Sequence, residues 1–200
     1  MLRRAKDGPP SEELMRLFQR GDLGAFDALW ERHSPEVTAF HARILRMAGF
    51  AGDSFEQAKD LTSETFIKVM QNRHAWDSER GNFTTWLYTI ASNVRVSALR
   101  SFKATLGRLF SQLDWAPRTL ASKIGTTTGV STLDRSIDID AALLQLPPHL
   151  RTVVLLKFFE GFTEQEVATI LSIPVGTVST QSARALKLLG KQLSEIVKPP

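Results

Sequence analysis

An all-α chain of two small helical domains joined by a flexible linker is the architecture these 200 residues predict, and three observations carry it. The first hundred residues divide into segments with a capping residue at the start and apolar residues at helical spacing. Residues 116–136, APRTLASKIGTTTGVSTLDRS, are rich in small and hydroxyl side chains and have no period. Beyond them, Leu146 to Leu189 reads as two helices joined by a turn too short for anything but a helix-turn-helix. No internal repeat or strand signal competes. The boundaries are expected at 1–100, 101–137 and 138–200.

In chain order, Ser11 is expected to cap a first helix that carries Glu12 and Glu13 in its opening turn, where negative charge meets the positive end of the helix dipole. Asp22 caps the next, with Phe26, Leu29 and Trp30 on one face. Ser34 followed by Pro35 reads as an N-cap and first helical position. It restarts the chain toward Ile44 and Met47 until Gly49 ends the helix. Ser54 and Gln57 form a capping box opening a helix with Leu61, Thr65, Phe66 and Val69 on one side and Asp60, Glu64 and Lys68 on another. A polar loop spans Asn72 to Asn82, and a helix from Phe83 to Leu99 closes the domain. Phe102, Leu106, Leu109, Phe110 and Leu113 then make an amphipathic stretch. Burying such a stripe contributes roughly 1.5 to 3 kcal/mol per large side chain, so it is expected to be covered. It either folds against one domain and masks a DNA-binding surface, or only completes the N-terminal core.

In the C-terminal half, Thr163 and Glu166 make a capping box, and Val167, Ile170 and Leu171 form the apolar face of the helix they open. Ser172-Ile173-Pro174 stops that helix, because proline disfavours α geometry before it yet suits the start of the next helix. A second helix from about Val175 to Leu193 would enter a major groove N-terminus first. Pro174, Gly176, Thr177, Ser179, Thr180 and Gln181 then lie nearest the bases. Arg184, Lys187 and Lys191 follow with no intervening acid, as phosphate contacts require.

The formal net charge of +4 says less than its arrangement. Between Glu79 and Asp114 there is no acid, while Arg80, Arg95, Arg100, Lys103 and Arg108 fall in that interval; a second acid-free run covers Val167 to Ser194. Such runs supply a phosphate-facing surface or, taken singly, a solvated helix face. With no cysteine, disulfides, thiolate metal sites and cysteine nucleophiles are excluded. His33, His41, His74 and His149 lack paired-ligand spacing, so no metal or cofactor is expected. No apolar run is long enough to span a bilayer and the first residues carry no hydrophobic signal core, so a cytoplasmic protein is expected.

The pattern LPP..R.V..L..FEG.T..EVA..L.IP.GTV.....RA...L closely resembles region 4, the promoter-reading domain of extracytoplasmic-function (ECF) sigma factors of bacterial RNA polymerase. Upstream and in the right order, GD..AF..LWERH.P.V..F resembles the start of region 2, DL..ETFIKVM its polymerase-docking helix, and GNFTTWLYTIASNVR its promoter-melting and minus-ten-reading segment. The resemblance implies polymerase contacts at Asp60, Leu61, Glu64 and Phe66; residues alone leave Asp60 and Glu64 as either a docking pair or a solvent-facing ladder. It implies a pocket for an unstacked minus-ten base at Arg80, Asn82, Phe83 and Thr84, with duplex and phosphate contacts at Asn93, Arg95 and Arg100. Trp86 is either core or DNA-facing.

Several positions depart from the family. Ser63 stands where glutamine is common, and Ser92 and Ser97 replace a frequent arginine and aspartate. Thr89 and Ile90 stand where primary sigma factors have a tryptophan pair, a difference the ECF group shares, and one that implies weaker intrinsic melting. Ser179, Thr180, Gln181 and Ser182 replace a lysine, serine, arginine and aliphatic residue. Two cations near the groove are thus missing, which predicts weaker DNA binding with a shallower salt dependence. Gln181 either pairs with an adenine or faces solvent.

The reading is a transcription initiation factor that binds core RNA polymerase and directs it to a two-part promoter, with an anti-sigma protein implied as a further partner and no small-molecule substrate. The alternative is a helix-turn-helix regulator acting without polymerase docking, which would need neither the docking helix nor the melting segment. An enzyme acting on nucleic acid is disfavoured, because no phosphate-cradling glycine loop, metal-ligand pair or nucleophile with a base is present.

Overall fold

The computed structural model describes residues 8–47, 53–112 and 139–196, and the side chains of 8–47, 53–98 and 141–192. Eight α-helices follow one another in these residues: α1 Ser11–Gln19, α2 Leu23–Met47, α3 Ser54–Gln71, α4 Phe83–Gln112, α5 Ile139–Leu144, α6 Pro148–Val154, α7 Glu164–Leu171 and α8 Val175–Ile196. A 3-10 turn, Arg73–Ala75, follows α3, and a π-helical turn, Leu155–Phe159, extends α6. No strand occurs among the described residues, and none of their helices is long and apolar enough to cross a membrane. The predicted all-α class is therefore the observed one.

Four local expectations change. The helix restart at Ser34-Pro35 does not occur, for α2 runs unbroken from Leu23 to Met47 with Pro35 inside it. A proline within a helix costs about 3 kcal/mol through one missing amide and a clash. Beyond it Val37, Phe40, Ile44 and Leu45 are all buried, at roughly 1.5 to 3 kcal/mol each, so burial outweighs the penalty. Ser11 makes no cap. Pro10 precedes the helix and its carbonyl receives the Glu13 and Leu14 amides at 3.0 Å, while the Ser11 hydroxyl lies 2.8 Å from His33 Nε2. Asp53 rather than Ser54 caps α3, its Oδ1 accepting from the Phe55 and Glu56 amides at 2.9 and 3.3 Å. A carboxylate is the stronger acceptor at the positive end of a helix. Finally, α4 does not stop near Leu99 but continues to Gln112. The amphipathic stretch is thus a continuation of α4 through Gln112; its side chains, with Leu113 and the linker beyond it, lie outside the described residues.

Other expectations hold. The Asp22 carboxylate accepts the Ala25 amide at 3.1 Å as α2 begins. The capping box before α7 is complete: Thr163 Oγ1 accepts the Glu166 amide at 3.3 Å, and Glu166 Oε2 accepts the Thr163 amide at 2.9 Å. After α7, Ser172 adopts the left-handed conformation with φ +53°, and the Pro174 carbonyl receives the Thr177 amide at 2.9 Å as α8 starts.

The N-terminal and C-terminal helices share one continuous apolar cluster. Met15, Leu29, Phe40, Phe66, Phe83, Leu87 and Tyr88 on one side meet Leu150, Leu155, Leu156, Phe162 and Val167 on the other. A smaller cluster of Leu45, Ala58, Leu61 and Val94 joins α2, α3 and α4.

Candidate partner-docking and nucleic-acid surfaces

Helix α3 packs one face on α2 and α4 and, among the described residues, leaves the other open. Thr62, Thr65 and Val69 are buried, and so are Leu61 and Phe66, at 3% and 1% exposure. These last two position the open face and do not form it. Asp60 and Glu64 are on that face, where Lys68 Nζ approaches Glu64 at 3.8 Å, a weak exposed pair. Ser63 Oγ donates back to the Lys59 carbonyl at 3.0 Å. The sequence reading missed Ile67, 51% exposed, and Met70, 40% exposed, which extend the acidic pair into a mixed acidic and apolar patch. Ile67 sits seven residues after Asp60 and three after Glu64, so helical spacing already placed it there. A groove of about 580 Å³ between α2 and α3, lined by Trp30, Pro35, Thr38, Phe55 and Thr62 among others, adjoins this face.

The start of α4 is held by a cap from each side. Asn82 Oδ1 accepts the Thr85 amide at 2.7 Å, and Glu12 of α1 accepts the Phe83 amide at 3.1 Å. Asn82 is thus the N-cap of α4 as well as a candidate DNA donor. Phe83 has no exposed surface and packs on His33, Trp76 and Trp86, with ring centroids 5.3, 6.4 and 6.1 Å away. It is core and not the wall of an open pocket. Trp86 is half-buried against the same cluster. Arg80, its side chain 87% exposed and 3.6 Å from Asp77, and Asn93 face solvent; Thr84 is half-buried. The side chain of Arg100 lies outside the described residues.

Arg95 differs most from expectation. It is 9% exposed, and its Nη1 donates to Thr152 Oγ1 of α6 at 3.2 Å. Burial pulls its pKa down to about 10, so it remains charged at neutral pH. Beside it His41 has no exposed surface. Its pKa is lowered to about 3, by burial first and by the Arg95 charge second.

Pro174, just before α8, and Gly176, Ser179, Thr180, Arg184 and Lys187 on it are exposed, and Thr177 and Gln181 half-buried. Val178 and Ala185 face inward at 0% exposure, and Ser182, also buried, receives Lys157 Nζ at 3.4 Å. That explains why position 182 tolerates a small hydroxyl residue: Lys157 of the π-turn reaches over it and pairs with Glu164. A concavity of about 470 Å³ is lined by Gly176, Thr177, Thr180, Gln181 and Arg184 together with His149 and Leu150 of α6. The helix-turn-helix reading of the sequence marked five of the seven; His149 is joined to them only by the packing of α6 on α8.

The two helical groups meet along one stripe of α4. Glu166 Oε1 receives Asn82 Nδ2 at 2.8 Å and Thr85 Oγ1 at 3.1 Å. Burial would raise the Glu166 pKa, but hydrogen bonds from Thr163, Asn82 and Thr85 outweigh it and lower it, so the group is a carboxylate at neutral pH. Glu160 accepts from Arg43 Nη1 at 3.2 Å and from the Tyr88 hydroxyl at 2.9 Å, and the Tyr88 ring stands 4.9 Å from Phe162. Arg151 donates to the Met47, Leu144 and Leu146 carbonyls, tying α6 to the end of α2.

Comparison with known proteins matches each half to a family. Residues 29–105 match the sigma-70 region 2 model and residues 136–189 the sigma-70 region 4 model. The chain is 30% identical over 193 residues to the ECF RNA polymerase sigma factor SigW of Bacillus subtilis, covering 91% of this chain and 96% of that protein. It is 29% identical to the RNA polymerase sigma-H factor of Pseudomonas aeruginosa, covering 94% and 95%. Among solved structures, it superposes with a TM-score of 0.62 on the sigma factor RpoE in complex with the anti-sigma factor NepR from Bartonella quintana, at 20% identity and covering 84% and 96%. It superposes with a TM-score of 0.61 on CnrH in complex with the cytosolic domain of CnrY, at 21% identity and covering 92% and 97%. These two show the fold.

Proposed function

Since the chain belongs to the ECF sigma factors, an alternative sigma factor that directs promoter-specific transcription initiation, we propose which of its residues perform each part of that task. The open face of α3 docks core RNA polymerase through Asp60 and Glu64, flanked by Ile67 and Met70, while Leu61 and Phe66 hold the helix in place from within. The observation that carries this is the mixed acidic and apolar character of a face that no element covers among the described residues. Buried apolar contact supplies affinity there, and the two carboxylates select basic residues on the partner.

Arg80, Asn82, Thr84, Trp86, Asn93, Arg95 and Arg100 serve the minus-ten element, with Phe83 as the core support of the pocket. Pro174, Gly176, Thr177, Ser179, Thr180, Gln181, Arg184 and Lys187 serve the minus-thirty-five element, and His149 joins them. The chain carries out no catalysis itself, works in the cytoplasm, and divides its tasks between residues 1–100 and 138–200, with 101–137 between them. A protein of the anti-sigma class, such as the one that binds RpoE of Bartonella quintana, is its expected regulator. The test is charge reversal: Asp60→Lys with Glu64→Lys abolishes co-purification with core polymerase at unchanged helical circular dichroism. Undiminished affinity for core in that double variant overturns the docking assignment.

A further inference from the structure

The loop from Asn72 to Asn82 carries Arg80 and Asn82, two residues assigned above to the minus-ten element. Its own order is slight: the 3-10 turn Arg73–Ala75, and a bend in which Asp77 accepts the Glu79 amide on its carboxylate at 2.9 Å and the Arg80 amide on its carbonyl at 3.2 Å. Both ends of the loop are tied to α1. Gln19 Nε2 donates to the carbonyls of Arg73 at 2.7 Å and Trp76 at 2.9 Å, and the Arg73 guanidinium stands 5.8 Å from the Phe18 ring. At the other end Glu12 Oε1 accepts the Phe83 amide at 3.1 Å. We propose that α1 is a brace that sets the conformation of the minus-ten loop, with Gln19 and Glu12 as positioning residues for promoter reading. The proposal rests on the minus-ten reading of Arg80 and Asn82 and adds what holds them in register. The brace lies outside residues 29–105, the part of the chain that matches region 2.

Glu12 and Gln19 are seven residues apart in one helix, so they share a face and stand about 10.5 Å apart along its axis. That helix is itself fixed, because Leu14, Met15 and Phe18 are buried in the core at 4%, 0% and 2% exposure. The two ties therefore hold the loop ends at a set separation. Between them Trp76, 5% exposed, meets the Phe83 ring edge-on at 6.4 Å, so the residue whose carbonyl Gln19 holds packs on the residue whose amide Glu12 holds. Each tie is made to the backbone. It fixes the path of the chain and leaves the side chains at the tip free to meet DNA. Residues 77–82 are all exposed, and no core contact of their own fixes Arg80. A loop released at either end spends only a fraction of its time in the reading conformation, and apparent affinity for the correct base falls by that fraction. Discrimination falls with it, since other conformers meet the other bases as well.

The test uses holoenzyme assembled from core polymerase and this chain. A promoter is selected from a random duplex pool, and its minus-ten and minus-thirty-five blocks are then randomised one at a time. The quantity read is the enrichment of each base at each position in the bound fraction. Gln19→Leu removes both donors at similar size, Glu12→Ala removes the acceptor, and Glu12→Gln keeps an acceptor oxygen. Gln19→Leu and Glu12→Ala are expected to flatten the preference at one or more minus-ten positions by about tenfold, the effect of a reading conformation populated about a tenth of the time. Glu12→Gln restores the preference, and the minus-thirty-five preference stays as in the wild type. A smaller folded fraction lowers the amount of DNA bound without altering the profile of the molecules that bind. Should Gln19→Leu not fold, the pair Glu12→Ala and Glu12→Gln decides alone.

A minus-ten profile unchanged in the folded variants overturns the proposal, as does equal flattening of the minus-thirty-five profile, which marks a general defect. Failure of Glu12→Gln to restore the preference overturns the role given to the Phe83 tie. Arg80→Ala separates the brace from the reading beneath it. If Arg80→Ala flattens the minus-ten profile and the α1 variants do not, the brace alone falls. If Arg80→Ala leaves the profile unchanged, the minus-ten reading of the loop falls and the proposal with it.

Discussion

Acid should weaken this fold through one buried side chain, His41. Its Nε2 lies 3.2 Å from Thr65 Oγ1, whose own proton is donated to the Leu61 carbonyl at 2.7 Å. The Thr65 oxygen can then only accept, so the neutral imidazole carries its proton on Nε2. Nδ1 is buried with no hydrogen-bond partner. Protonating it would bury a cation without an acceptor near Arg95, which is why the pKa falls from 6.5 to about 3. Because the folded pKa lies below the unfolded one, the unfolded chain binds the extra proton. The contribution to stability is intact above about pH 6.5 and is lost as pH falls from there toward 3. At 1.36 kcal/mol per unit, lowering the pH from about 7.5 to 4.5 removes about 2.6 kcal/mol. Urea unfolding of the wild type and of His41→Gln across that range checks this, since the carboxylates titrate alike in both and the difference profile isolates the imidazole. A difference that stays flat with pH refutes the reasoning.

Two further outcomes follow from the helix caps and the recognition helix. Thr163→Ala leaves the Glu166 amide without its cap and should cost about 1 kcal/mol in urea or thermal unfolding; no loss would mean that solvent or Ser/Thr neighbours replace the cap. Ser179→Lys with Gln181→Arg should raise affinity for a duplex carrying the minus-thirty-five element and steepen its logarithmic salt slope by about one to two units. An unchanged slope would show that this face of α8 stays away from the phosphates.

The sequence by itself determined what depends on neighbours within a turn or two of helix. The Thr163–Glu166 capping box, the stop at Ser172-Ile173-Pro174, the inward face of α3 and the outward pair Asp60 and Glu64 are all local patterns, and each is found where spacing put it. Where a local signal competed with burial, burial won. Ser34-Pro35 has the form of a helix start, yet the apolar residues beyond it carry α2 straight through. Leu61, Phe66 and Phe83 fall within motifs that resemble contact surfaces, but large apolar side chains on the inward face of a helix lose more by exposure than a partner's contact returns. What only the tertiary structure decided lies between residues far apart in the chain. Glu166 reaches Asn82 across 84 positions and Arg95 reaches Thr152 across 57. No periodicity within a helix encodes such a meeting, because it depends on how whole helices pack and on the desolvation of polar groups brought together by that packing.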